Sequence, residues 1–177
     1  MLIFRKRRKK KEKKEKKEVV LVKKPQKRRI LTDKQIKDLA DKHRTIILSK
    51  FAERMLSFSR RAAKESRRLG IGRITLNLGT YVDSVKRVVI DLLSKELMKG
   101  FGKKYSKEQL EVLREEIKKA ISIALGHSEE ALKIISALAA EFPTADARKI
   151  AEFSWKYRDS DPKRVVEFFR EELSKKR

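Results

Sequence analysis

The sequence predicts an all-α protein, a helical bundle of about six helices with one very long first helix and a basic N-terminal arm. From residue 32 onward, apolar residues recur at helical spacing between capping signals, and no convincing strand ladder is present. Before residue 32, lysine and arginine dominate. We therefore divide the chain into a polybasic arm, residues 1–31, and a helical bundle domain, residues 32–177.

The first helix is predicted to begin at Thr32 or Asp33 and to run to about residue 69. Thr32 and Gln35 form the Thr-x-x-Gln pattern of a capping box, and neither proline nor glycine follows before Gly70. A helix of about 37 residues is roughly 55 Å long. On a helical wheel its apolar residues gather on one side, which we expect to pack against the body: Phe51, Met55, Phe58, Ala62 and Leu69.

Five shorter helices are predicted after the loop at residues 70–79. Capping residues mark their starts, and glycine or Phe142-Pro143 marks several ends. The predicted starts are Thr80 (with Asp83), Ser106 (with Gln109), Ser128, Thr144 and Asp161-Pro162.

The net charge of +24 is concentrated at the start of the chain. Residues 1–31 contain sixteen basic and three acidic residues. Such an excess repels itself and requires a polyanionic partner, which is nucleic acid, an acidic membrane or an acidic protein. The arm's candidate phosphate-binding residues are Arg5, Lys6, Arg7, Arg8, Lys9, Lys10, Lys11, Lys13, Lys14, Lys16, Lys17, Lys23, Lys24, Lys27, Arg28 and Arg29.

Two further patterns within the arm argue against a tail that serves solubility alone. Its glutamates are three residues apart (Glu12, Glu15, Glu18), so a helix would confine them to a narrow strip and leave the remaining circumference to lysine. Four apolar residues also stand between two basic blocks. We interpret them as an anchor on the bundle or on a neighbouring copy and predict a subunit contact at Val19, Val20, Leu21 and Val22.

The second half of the first helix carries a row of cations opposite its apolar side. Five basic residues fall within an arc of about 120° on the helical wheel, with only Glu65 near its edge. Short side chains at Ser57, Ser59, Ala63 and Ser66 flank this row and would allow close approach to a backbone or another subunit. We predict that the row, called the cationic ridge below, binds phosphates; its members are Arg60, Arg61, Lys64, Arg67 and Arg68.

The expected partner is double-stranded DNA bound without sequence specificity. Single-strand binding requires aromatic residues among the cations, and the basic regions contain only Phe4, Phe51 and Phe58. A helix-turn-helix around Phe142-Pro143 is a weak reading, because residues 144–160 hold four basic and three acidic residues. We interpret these helices as packed core helices. RNA stays open as a partner, as does the choice between A-form and B-form DNA.

Enzymatic chemistry finds no support in the sequence. There is no cysteine, no glycine-rich phosphate loop, and only two histidines, His43 and His127, which we interpret as structural. We therefore expect no catalytic residue, metal, cofactor or small-molecule substrate. No apolar stretch reaches the length of a signal peptide or membrane span. One asparagine and three glutamines among abundant lysine, glutamate and arginine are typical of proteins from very hot environments.

The basic arm at residues 5–29, the long helix with its cationic ridge and the thermophilic composition together resemble the major capsid proteins of filamentous and rod-shaped viruses of hyperthermophilic archaea. The resemblance is one of plan and not of motif, and it covers little of residues 100–177. It implies a structural subunit that wraps linear double-stranded DNA in a helical filament, with further copies or a paralogous coat protein as partners. The implied location is the virion, and the host cytoplasm during assembly.

Two other functions stay open from the sequence. A cellular nucleoid protein, transcription factor or RNA-binding protein would use the C-terminal helices for specific recognition. A subunit of a nucleic-acid enzyme would need its catalytic residues on a partner chain.

Overall fold

The computed structural model describes residues 29–70, 78–101 and 104–175. Within these ranges the chain forms six α-helices and no strand, which confirms the all-α prediction and the long first helix. The helices are α1 (Asp33–Arg68), α2 (Val82–Met98), α3 (Lys107–Gly126), α4 (Glu129–Glu141), α5 (Ala147–Lys156) and α6 (Pro162–Ser174), and a 3₁₀ turn (Leu78–Tyr81) precedes α2.

Helix α1 is the element around which the others assemble, and α2, α3, α4 and α5 all contact it. Its Phe51 and Met55 are fully buried, as the helical wheel predicts, and Phe58 is half-buried. Helix α6 packs on α4 instead. The ring of its Phe169 lies 5.2 Å from Phe142 and 5.0 Å from Phe153, measured between ring centroids.

Three predicted helix starts are confirmed in their hydrogen bonds. Thr32 and Ser106 each accept a bond from the backbone N–H three residues later, and the glutamine there accepts from the capping residue's N–H, so both capping boxes are complete. At α6, the side chain of Asp161 accepts from Lys163 and Arg164, and Pro162 is the first helical residue.

Two other starts differ from the prediction. Thr80 lies in the 3₁₀ turn, and Tyr81, which precedes α2, makes no capping bond with its side chain. Thr144 lies in a turn, and α5 begins three residues later because Asp146 accepts from the N–H of Lys149. The start of α4 is confirmed at Ser128, the residue before Glu129, although the Ser128 hydroxyl donates to the carbonyl of Ala124 at 2.7 Å and does not cap the helix.

Leu69 was assigned to the packing side of α1, and that assignment is wrong. Its side chain is 61% exposed. Leu69 follows the last helical residue and closes the helix by donating its N–H to the carbonyl of Glu65. Gly70 then has φ of +63°, a left-handed conformation that glycine adopts without strain and that commonly ends a helix. The chain therefore turns away directly after Leu69, whose side chain stays exposed at the end of the helix.

Candidate nucleic-acid interface

The arm joins the body through a carboxylate on α3. Glu116 accepts the N–H of Ile30 at 3.0 Å with one oxygen and the N–H of Leu31 at 2.9 Å with the other. Its side chain is buried at 8% exposure, and both Ile30 and Leu31 pack against the core. Ile30 and Leu31 were assigned to the arm, yet the structure places them on the bundle. The position where the arm leaves the body is consequently fixed against α3.

Arg29, the first described residue of the predicted arm, lies beside an acidic residue at the start of α1. Its guanidinium donates to both oxygens of Asp33 at 3.1 Å, and Nζ of Lys119 lies 3.5 Å from the same carboxylate. The Arg29 guanidinium, followed by Lys119, holds the pKa of Asp33 below its usual value. Since the Arg29–Asp33 pair is exposed, it is worth little and leaves Arg29 able to exchange partners.

The rest of the arm's candidate residues, from Arg5 to Arg28, lie outside the described residues, and so do Val19, Val20, Leu21 and Val22. Their predicted roles stay predictions.

The cationic ridge lies on the exposed side of α1. All five members are exposed. Within the described ranges, four of them form no ion pair with an acidic side chain, while Nε of Arg68 lies 3.0 Å from Glu65. That pair is exposed on both sides. The four without an acidic partner are Arg60, Arg61, Lys64 and Arg67.

The small residues beside the ridge do not provide the close approach that was expected of them. Ser59 and Ser66 are buried at 1% and 6% exposure, and Ser57 and Ala63 are half-buried. They lie toward the body, so the part of the ridge that faces outward consists of the long basic side chains themselves.

Sequence reasoning missed one further cation of this surface, Arg54. It is exposed and stands seven residues before Arg61, which in turn stands seven before Arg68, so all three share one side of the helix. This spacing of seven residues is visible in the sequence and could have identified Arg54. With Arg54 included, the row of cations extends for about 21 Å along α1. Lys50, another turn earlier, is paired with Glu53 at 3.0 Å.

The arm and the ridge are attached at opposite ends of α1. The arm joins beside Asp33, and the ridge as predicted begins at Arg60, a separation of about 40 Å along the helix axis. The structure therefore does not bring the described end of the arm and the ridge together into one site. A surface that uses both must include the chain before Arg29 or a second molecule.

The C-terminal helices are packed, as the sequence indicates. Ile150, Ala151 and Ser154 of α5 are buried, and α5 contacts α1 and α4. Half-buried Trp155 is not free to stack on a base, because the guanidinium carbons of Arg44 and Arg158 lie 4.5 Å and 4.4 Å from its ring centroid.

In the parts of the chain that the structure describes, no helix is both long and apolar enough to cross a membrane. Comparison with known proteins finds no matching family model, no matching curated protein and no matching solved structure.

Proposed function

We propose that this protein is a structural capsid or nucleoprotein subunit. It coats and compacts linear double-stranded DNA by binding phosphates without reading sequence, and it assembles with further copies, or with a paralogous coat protein, into a helical filament. The virion is its place of action, and the host cytoplasm its place of assembly. It has no enzymatic role in this proposal.

One observation carries the proposal: α1 presents exposed cations that have no acidic partner in the described part of the chain. Elsewhere on the body, exposed cations are either paired on their own helix, as Lys133 is with Glu130 at 2.6 Å and Arg148 is with Glu152 at 2.9 Å, or unpaired among the described residues, as Lys163 and Arg164 are. What distinguishes the ridge is that its unpaired cations form a row on one side of a single helix. A row of this kind favours an extended external anion.

The mechanism is electrostatic. Cations that approach a duplex displace condensed counterions, and the release of these ions drives binding. The charge of +24 balances about 40 Å of duplex axis, or roughly 12 base pairs per copy. Phosphates are the same at every base pair, so contacts of this kind hold the protein on DNA without selecting a site.

The proposed filament is supported by where the arm and the cationic ridge lie on the molecule, and not by an observed contact between copies. A body with a basic arm at one end and a separate basic surface at the other can place successive copies along one duplex, and a repeated head-to-tail arrangement generates an open helical assembly. In this proposal the arm cations neutralise the DNA that passes between copies.

The test removes four ridge cations and compares the result with a charge-matched variant. We expect Arg60→Ala/Arg61→Ala/Lys64→Ala/Arg67→Ala to reduce the slope of log affinity against log salt by about 3 to 4 on duplex DNA, since each phosphate contact contributes about 0.9. The control removes four exposed cations elsewhere: Lys133→Ala/Arg148→Ala/Lys163→Ala/Arg164→Ala. Equal slopes for the two variants would refute a specific role for the ridge.

Electron microscopy of the protein with linear DNA tests assembly. Filaments of constant diameter and uniform protection in a footprint on mixed-sequence DNA are the expected results. Protection confined to one site would instead identify a sequence-specific regulator.

A further inference from the structure

A groove runs along α3 beside the point where the arm joins the body. It consists of two adjoining depressions of about 730 Å³ and 570 Å³, which share Arg29, Glu111 and Val112 in their walls. Ile30, Ile36 and Tyr105 add apolar surface to the lining. From Tyr105 to Lys119 the groove follows about 21 Å of helix. It is thus long and partly apolar.

The exposed acidic residues of the groove all lie on α3, and they are Glu108, Glu111 and Glu115. Its basic lining residues are Arg29 and Lys119, which both contact Asp33, and half-buried Arg114. The exposed carboxylates on α3 favour an occupant that carries both basic and apolar residues.

The arm's own sequence fits these requirements. Val19–Val22 is apolar, with Lys16-Lys17 shortly before it and Lys23-Lys24 directly after it. Six residues stand between Val22 and Arg29, and these seven Cα–Cα steps reach at most about 23–25 Å when extended, which is enough for Val19–Val22 to lie against the α3 groove.

We propose that the α3 groove binds Val19–Val22 of the same chain, with the neighbouring lysines against Glu108, Glu111 and Glu115. The same chain is favoured over a second copy because Arg29 and Ile30 already line the groove. A short tether of this kind gives a local concentration in the millimolar range. This docking is independent of DNA binding by the ridge.

The proposal has a consequence for the arm. Salt and polyanions weaken the lysine–glutamate pairs, whereas the apolar contact persists. The arm is then held on the body by its apolar residues while its lysines exchange carboxylate for phosphate.

Disulfide trapping tests the docking. Because the chain contains no cysteine, only the introduced cysteines can form a disulfide. In Val20→Cys/Val112→Cys, we expect an intrachain disulfide to form in dilute protein under mild oxidation. Its rate should be at least about tenfold that of Val20→Cys/Val88→Cys, whose second cysteine lies at an exposed position on α2. Adding Glu108→Lys/Glu111→Lys should slow trapping at low salt. Circular dichroism checks that each variant keeps its helices.

Two results would overturn the proposal. The first is an equal rate for the two cysteine pairs, and the second is a product that is exclusively an interchain dimer, which would assign the groove to a second copy. A paramagnetic label on Val20→Cys alone gives a readout without any change in the groove. Docking predicts selective broadening of the amide signals of α3, and uniform broadening counts against it. Neither result depends on how DNA affinity varies with salt. A negative result for the docking therefore does not affect the proposal that the cationic ridge binds phosphates.

Discussion

A single carboxylate decides where the arm meets the body. Glu116 accepts two consecutive backbone N–H groups with its two oxygens while it is itself buried. Hydrogen bonds to a charged acceptor are worth about 1.5–3 kcal/mol each, and a buried carboxylate without them would be costly. Ile30 and Leu31 therefore depend on this residue more than on any local preference of their own.

Glu116→Gln should lower the free energy of unfolding by about 2 kcal/mol, because the amide keeps one acceptor oxygen and turns an NH₂ donor toward the second N–H. The neighbouring change Glu115→Gln is the control, since that side chain is 70% exposed and its partner among the described residues is Lys118; we expect a loss below about 0.5 kcal/mol. Urea unfolding measures both. Hydrogen exchange at Ile30 and Leu31 should accelerate in the first variant alone, and equal effects in both would contradict the anchor.

Residues whose role depends on local spacing could be predicted from the sequence, and those whose role depends on distant contacts could not. The exposed ridge follows from the 100° rotation between residues of one helix. The partners of Glu116 stand 85 and 86 residues away along the chain, so no local pattern indicates them. The helical wheel predicted the position of Leu69 wrongly because a wheel assumes that the helix continues, whereas α1 ends at Arg68.

At the scale of single elements, helix starts separate into those with a complete sequence signal and those without. The reciprocal Thr-x-x-Gln and Ser-x-x-Gln boxes predict α1 and α3 correctly, because two hydrogen bonds must be made together. The lone Thr144 carries half of that signal, and Thr80, although Asp83 follows it, lies in the 3₁₀ turn before α2. At α5, Asp146 follows Thr144 by two residues and is the better cap, because a carboxylate also interacts favourably with the helix dipole.

The start of α5 can be checked with a matched pair of variants. Asp146→Ala should lower the free energy of unfolding by about 1 kcal/mol, since it removes the acceptor of the Lys149 N–H. Thr144→Ala should change it by less than about 0.3 kcal/mol, since this exposed residue lies in the preceding turn. Thermal unfolding followed by circular dichroism distinguishes them. A larger loss for Thr144→Ala than for Asp146→Ala would show that Thr144 caps α5, as the sequence predicts.

At the scale of the whole molecule, half of the net charge and the hydrophobic core come from different parts of the chain. Residues 1–28 contain fifteen basic and three acidic residues, half of the net charge, whereas the core lies in α1 to α6 and the residues packed on them. The sequence alone places the boundary at residue 31. The structure shows Ile30 and Leu31 on the body, because their side chains pack and their N–H groups are bound there.

Two truncations examine this boundary. Removal of residues 1–28 should leave the helical circular dichroism unchanged and lower the melting temperature only by the contribution of the Val19–Val22 contact, while it weakens DNA binding and reduces its dependence on salt. Removal of residues 1–31 should additionally lower the free energy of unfolding by about 2–4 kcal/mol, because the buried Glu116 carboxylate loses both donors. Identical melting temperatures for the two truncations would show that these donors are dispensable.

The separation of about 40 Å between the base of the arm and the ridge has a mechanical consequence. Helix α1 is braced by four other helices, so it acts as a rigid strut between its two ends. Forty ångströms of duplex is about 12 base pairs, slightly more than one helical turn. DNA gripped at both ends of such a strut has no freedom to curve within that interval. Coated DNA should therefore be far stiffer than the bare polymer, with a persistence length well above about 50 nm.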